Sequence, residues 1–259
     1  MKATHAVAAL VVVGAIGGAA WWLWQQREPP YLPPPAPAKV EVPAAPQGPQ
    51  PPRHPVPPVE SPLPPLGASD PSMLDAIRPL FGAQALERFF NVDDLIRRIV
   101  ATVDNLPRES VAMRLNPVKP VGGLPVTQTR EGTQVLAPEN ARRYAAHVRA
   151  MELVDAKRLA SVYFHFHPLF QQAYVELGYP NGHFNDRLVD VIDHLLATPE
   201  VKGPIAVTTP KVLHEFADPD LESRSAGQKM LIRIGAENAA RVKAKLRELR
   251  AEVARGPAP

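Results

Sequence analysis

Apolar residues recur every three or four positions through most of the chain beyond residue 90. Val92, Leu95, Ile96, Ile99, Val103 and Leu106 form one such stripe, the spacing that gathers side chains on one face of a helix. Asn91 stands before it as a candidate N-cap. Asp93 and Asp94 occupy the first turn, where carboxylates suit the positive end of the helix dipole. Pro107 then fits the first position of a shorter helix. Ala141, Tyr144, Ala145, Val148 and Met151 repeat the stripe after Pro138. Between the two, residues 124–129 and 133–136 alternate about Arg130-Glu131-Gly132, which predicts a small hairpin.

The clearest punctuation lies in residues 170–196. A helix through Tyr174 is expected to end at Gly178, where positive φ is easy, with Pro180 following. In a Schellman ending Tyr179 folds back onto Tyr174. Phe184, Asn185 and Val189 fit a hydrophobic staple around an N-cap. Leu188, Val189, Val191, Ile192, Leu195 and Leu196 cover most of the next helix, which reads as the buried centre of a bundle. Two more helices meet at Gly235, and the last turns Val242, Leu246, Leu249 and Val253 toward the core before Gly256-Pro257.

The front of the chain follows a different pattern. Residues 6–24 carry no charge and end in Trp21, Trp22 and Trp24. Nineteen helical residues reach about 29 Å, close to the hydrocarbon thickness of a bilayer. Indole rings favour the headgroup layer, so these tryptophans read as membrane-interface anchors. Lys2 and the amino terminus precede the span, while Arg27 and Glu28 after it cancel. The N-terminus is therefore expected in the cytoplasm and the rest outside it. The competing reading is a cleaved signal peptide with Gly18 and Ala20 before the cut. A single lysine in the n-region and three tryptophans after the cut argue against it. Gly14 and Gly18 make one GxxxG, a pattern that chance readily supplies in so small-residue-rich a span.

Residues 29–71 hold 18 of the chain's 32 prolines. Proline fixes φ and donates no amide hydrogen bond, so this stretch predicts an extended polyproline-like spacer. The expected organisation is a cytoplasmic N-terminus (1–5), a transmembrane helix (6–24), a disordered Pro-rich periplasmic linker (25–70), a globular domain (71–255) and a short tail (256–259). The expected fold class is mainly α, a multi-helix, bundle-like domain with one small β-hairpin. No cysteine occurs, which excludes disulfides, thiol nucleophiles and thiolate metal sites.

Several runs together resemble a bacterial family, domain of unknown function 3014. They are Ala101-Thr102-Val103-Asp104-Asn105-Leu106-Pro107-Arg108, Phe184-Asn185-Asp186-Arg187-Leu188 through Val191-Ile192-Asp193-His194-Leu195-Leu196, Lys211-Val212-Leu213 with Glu215-Phe216-Ala217-Asp218, and Ser225-Ala226-Gly227-Gln228-Lys229. The resemblance implies a bacterial protein with a single N-terminal span. It brings no catalytic residues.

Candidate chemistry is sparse. His165 and His167 flank Phe166, but i and i+2 on a helix point about 200° apart, so a shared metal ion is not expected. One exposed histidine and one packed on aromatics is the simpler reading, unless Pro168 breaks the helix. Asp190 and His194 lie at i, i+4 with Arg187 a turn before. A carboxylate orienting an imidazole serves a general base or a metal ligand, and it also serves a structural ion-pair network. The candidate pocket is therefore Arg187, Asp190 and His194, walled by Tyr174, Tyr179 and His183. Neither a metal nor a cofactor is called for. Motifs for nucleotide-binding loops, serine-hydrolase elbows and zinc proteases are absent. Residues 236–255 hold six basic side chains against three acidic ones, a solvated face or a patch for anionic partners. Nucleic acid is not an expected partner. The resulting expectation is an inner-membrane protein that displays a helical binding or scaffold domain to a periplasmic protein or the cell wall. The alternative is an envelope hydrolase, metal-dependent or not, centred on Asp190 and His194.

Overall fold

In the computed structural model the described residues are 50–59, 61–210 and 214–255. The expected span, its three tryptophans and the nearer part of the spacer lie outside them. No helix among the described residues is long and apolar enough to cross a membrane.

Ten α-helices and two short antiparallel strand pairs make up the described fold. The helices are α1 (Asp70–Phe81), α2 (Ala83–Phe89), α3 (Leu95–Asn105), α4 (Pro138–Arg142), α5 (Ala145–Glu152), α6 (Ala156–Glu176), α7 (Phe184–Leu196), α8 (Pro219–Glu222), α9 (Ala226–Arg233) and α10 (Ala236–Arg255). Strands β1 (Thr127–Arg130) and β2 (Thr133–Leu136) form the expected hairpin, with Arg130 opposite Thr133. Its two-residue turn has Glu131 at φ 52° and Gly132 at φ 79°, the twist that suits a tight hairpin. A second pair, β3 (Val207–Thr208) with β4 (Glu215–Phe216), was not legible in the pattern. It joins β2 through a bridge between Val135 and Ala206.

Helices α6, α7 and α10 pack on one another, and α3 lies against α6 and α7. Phe166, Phe184, Val189, Leu95, Ile96 and Val100 are each no more than 2 % exposed at their meeting. Helix α7 is central, as its apolar circumference predicts. Helix α6 runs unbroken through Pro168. Proline inside a helix costs about 3 kcal/mol, and the buried side chains on both sides of it, Phe164, Phe166, Leu169 and Phe170, offset that cost. Gly178 ends α6 at φ 114°, and the Tyr179 amide donates back to the Tyr174 carbonyl at 3.3 Å. The Schellman ending is therefore as expected.

Other expectations change. Helix α3 is not capped by Asn91. Asp94 adopts φ 53°, and the carboxylate of Asp70 from α1 accepts from the amides of Asp94 and Leu95 at 2.6 and 2.9 Å. No helix follows Pro107. The Leu106 and Arg108 carbonyls instead receive the amides of Gly227 and Ala226 at 2.9 and 2.7 Å. Asn185 is no cap either. It is buried within the first turn of α7, and the Phe184 amide is capped by Gln171 Oε1 at 2.8 Å.

From residue 50 onward the described chain belongs to the helical unit. Val56 and Leu63 pack on the main core, and Leu66, in a short 3-10 turn, is 4 % exposed. The described Pro-rich residues 50–59 and 61–65 lack regular structure, as composition demands, but they are seated rather than free. The basic helix α10 is likewise less of a surface than its charge suggests. Lys243 and Lys245 are buried, donating to the carbonyls of Thr198 and Val154, and Arg250 pairs with Asp193.

Candidate functional site

The turn between α6 and α7 sets the geometry. Tyr179 stacks on Tyr174 with ring centroids 4.5 Å apart and planes 15° from parallel. That stacking presents the Tyr179 hydroxyl to Asp104, near the C-terminal end of α3. Asp104 is 2 % exposed. Its Oδ2 accepts from Tyr179 at 3.1 Å and from Arg108 Nη2 at 2.6 Å. Oδ1 accepts from Arg187 Nε at 3.0 Å, and the Asp104 carbonyl accepts from Arg187 Nη2 at 2.7 Å. Arg108 also donates to the Tyr179 oxygen at 2.7 Å. The charge of the Asp104 carboxylate raises the pKa of Arg108. Burial pushes the Tyr174 hydroxyl up to about 12, keeping it neutral.

The side chains predicted as one pocket divide among three neighbourhoods. Tyr174, Tyr179 and Arg187 belong to the Asp104 network. Asp190 does not orient His194. It is exposed and pairs with Arg53 at 2.6 Å. His183 Nε2 lies 2.7 Å from the Gln50 carbonyl. Both therefore face the Pro-rich arm. One turn inward, the two carboxylate oxygens of Asp186 accept from the amides of Arg53 and His54 at 2.9 and 2.8 Å. Asn185 Nδ2 donates to the His54 carbonyl at 2.9 Å. The arm is thus held as an extended strand would be, through its backbone.

His194 has a third setting. Its Nε2 lies 2.8 Å from Ser225 Oγ, which also accepts from the Gln228 amide as the N-cap of α9. A serine oxygen accepting one N–H keeps its own proton and a second lone pair, so either tautomer of the neutral imidazole satisfies this contact. Burial, then the positive Arg187, lowers the His194 pKa, which favours that neutral form. His165 is exposed and His167 half-buried at the edge of the Tyr163 ring, as expected for a helix. Among the described residues no three His, Cys, Asp or Glu side chains are grouped to hold a metal. Two hollows in the head are lined by other residues, so the six predicted side chains wall neither of them.

Sequence reasoning missed Asp104, Arg108, Arg53, Asp186 and Ser225 as site residues. The signal for Asp104 was available. It continues the buried row Ile96, Val100 at i+4 spacing, and a carboxylate on a buried row needs partners. Arg53 carried no signal, since its partners lie more than 130 positions away.

A family model described as a protein of unknown function (DUF3014) matches residues 95–250. The match runs from the start of α3 into the last turns of α10 and contains Asp104, Tyr179, Arg187, His194 and Ser225. It does not reach the Pro-rich arm. No curated protein and no solved structure matches this chain.

Proposed function

This chain belongs to the DUF3014 family of proteins of unknown function, and we propose that it is an envelope protein tethered to the inner membrane whose helical head binds a partner. The observation that carries the binding reading is how the polar groups of α7 are spent. Arg187 holds Asp104, Asp186 holds the arm, Asp190 meets Arg53 and His194 meets Ser225. Side chains used this way fix elements against one another and give a rigid surface, which a scaffold needs. The tether rests on the uncharged residues 6–24 and the terminal tryptophans. With the arm seated from residue 50, the Pro-rich spacer shortens to residues 25–49, whose reach is about 80 Å at the polyproline rise. The partner is a periplasmic protein or the cell wall.

Alkaline phosphatase fused behind residue 255 of the full chain tests location. Active fusions are expected, and fusions active only as cytosolic reporters would end the tether reading. In-cell crosslinking from α7 then tests binding. Asp190→Ala and His194→Ala are expected to leave the crosslinked species in place.

One observation favours a hydrolase as the second reading, namely the Ser225 hydroxyl at 2.8 Å from His194 Nε2. A nucleophile and base at that distance can perform acyl transfer. A fluorophosphonate probe that labels Ser225 in the wild type and not in His194→Ala would establish it.

A further inference from the structure

The head contains a cavity of about 260 Å³ between α1, α3, α6, α7 and α10. Met73, Leu95, Ile99, Phe170, Leu188 and Ile192 are among the side chains around it. Its polar candidate, the Tyr163 hydroxyl, already donates to Asn185 Oδ1 at 3.1 Å. Most of the wall is core, with Met73 and Ile192 at 4 %, Leu95 at 1 % and Phe170 at 3 % exposure. Ile99, Leu159, Leu188 and Leu249 are half-buried parts of its lining.

Native interiors pack at the density of organic crystals and leave few voids larger than a water molecule. Water gains nothing here, because a buried water needs two to four polar partners and this wall offers none. A dry apolar space of about 150 Å³ suffices to bind a six-carbon ring. By that proportion this one takes roughly ten carbon atoms. A wall without a free donor or acceptor discriminates by size and apolarity alone. It rejects any ligand whose polar groups must enter with it. The ligand consistent with these limits is an alkyl chain of that size whose polar end stays outside.

We infer that this cavity is a binding site for a medium-length alkyl chain, supplied by a free fatty acid or by the acyl chain of a lipid. The inference rests on the reading of the head as a binding domain and specifies what that domain takes.

The test uses the full chain in lipid nanodiscs with two photoreactive probes. One is a ten-carbon fatty acid bearing a chain-end diazirine, added from solution. The other is a phosphatidylglycerol with the same diazirine, placed in the disc. The expected result is covalent label on cavity-wall residues of α6 or α7, from at least one probe and competed by excess decanoate. Which probe labels identifies the source. Ala160→Phe fills the cavity from α6, where Ala160 is 2 % exposed and lines the wall. It is expected to lower wall labelling at least tenfold, and Leu188→Phe is the second filling variant. Label absent from the wall with both probes, or undiminished in whichever filled variant melts within a few degrees of the wild type, overturns the inference. Those outcomes leave the reporter-fusion result untouched, and a cytosolic reporter would leave the labelling untouched.

Discussion

Asp104 receives side-chain donors from Arg108, Arg187 and Tyr179 while being almost fully buried. Arg187, at 28 % side-chain exposure, has both of its described side-chain hydrogen bonds to this one residue. Asp104→Asn keeps the shape and removes the charge, leaving a half-buried guanidinium without its counter-ion. Breaking a buried pair from one side costs about 3 kcal/mol, and a loss near that size is expected in urea unfolding. A loss below about 1 kcal/mol would mean that the network is loosely coupled to folding. His167 supplies a separate, pH-dependent contribution. Burial, and secondarily the nearby His183, lowers its pKa to about 4. As pH falls from about 6.5 to 4, the unfolded chain takes up this proton first, so stability declines through that window and is intact above it. The full effect is about 3 kcal/mol below pH 4. Burial shifts His147 and His194 the same way. His167→Gln should therefore melt with a flatter pH dependence than the wild type between pH 6.5 and 4. Parallel curves would remove His167 from the account.

At the scale of elements, the docking of α9 shows why one glycine stands where it does. A Cβ on Gly227 would come 2.6 Å from Leu195 Cδ2 and 3.0 Å from the Leu106 carbonyl oxygen. The close approach lets the amides of Ala226 and Gly227 reach the end of α3, while Ser225 caps α9 and meets His194. An alanine in a helix ordinarily gains about 1 kcal/mol over glycine. Overpacking here outweighs that gain, so Gly227→Ala is expected to destabilise by about 1–2 kcal/mol in thermal or urea melts. A stabilised variant would show that α9 can move away freely. Three of the sequence runs that resemble the family, around Asp104, Asn185 and Ser225, meet at this junction of α3, α7 and α9. Their spacing along the chain gave no hint of it, because helix packing and not periodicity brings them together. The caps illustrate the same limit. The Schellman end of α6 uses only its own residues and was legible, whereas α3 borrows its cap from Asp70 and α7 from Gln171.

On the scale of the whole molecule, the described part of the Pro-rich segment belongs to the helical unit. Its composition rules out helix and sheet, which holds for the described part, yet that part is clamped through backbone groups by Asp186 and Asn185. Asp186→Ala removes the acceptor for two amides at once, a local loss of about 1–3 kcal/mol for each amide left buried and unpaired. The arm is then expected to be cut by protease within residues 50–60 at a rate that leaves wild type intact, with far-UV circular dichroism unchanged. Equal protection in the variant would mean that Val56, Leu63 and Leu66 hold the arm without the carboxylate.

What the sequence determined alone is everything that depends on neighbours in the chain. Helical periodicity, the glycine endings at 178 and 235, the two-residue hairpin turn and the separation of His165 from His167 follow from local backbone geometry. The tertiary structure alone decided which charges meet. Asp190 was free, as far as the chain could say, to pair with His194 one turn away, and it pairs instead with Arg53. Helical spacing brings two side chains within reach of each other, but the partner each one takes depends on what packing delivers from elsewhere. Lys243 and Lys245 look like surface residues by type, and they are buried because carbonyls of distant turns lie within their reach.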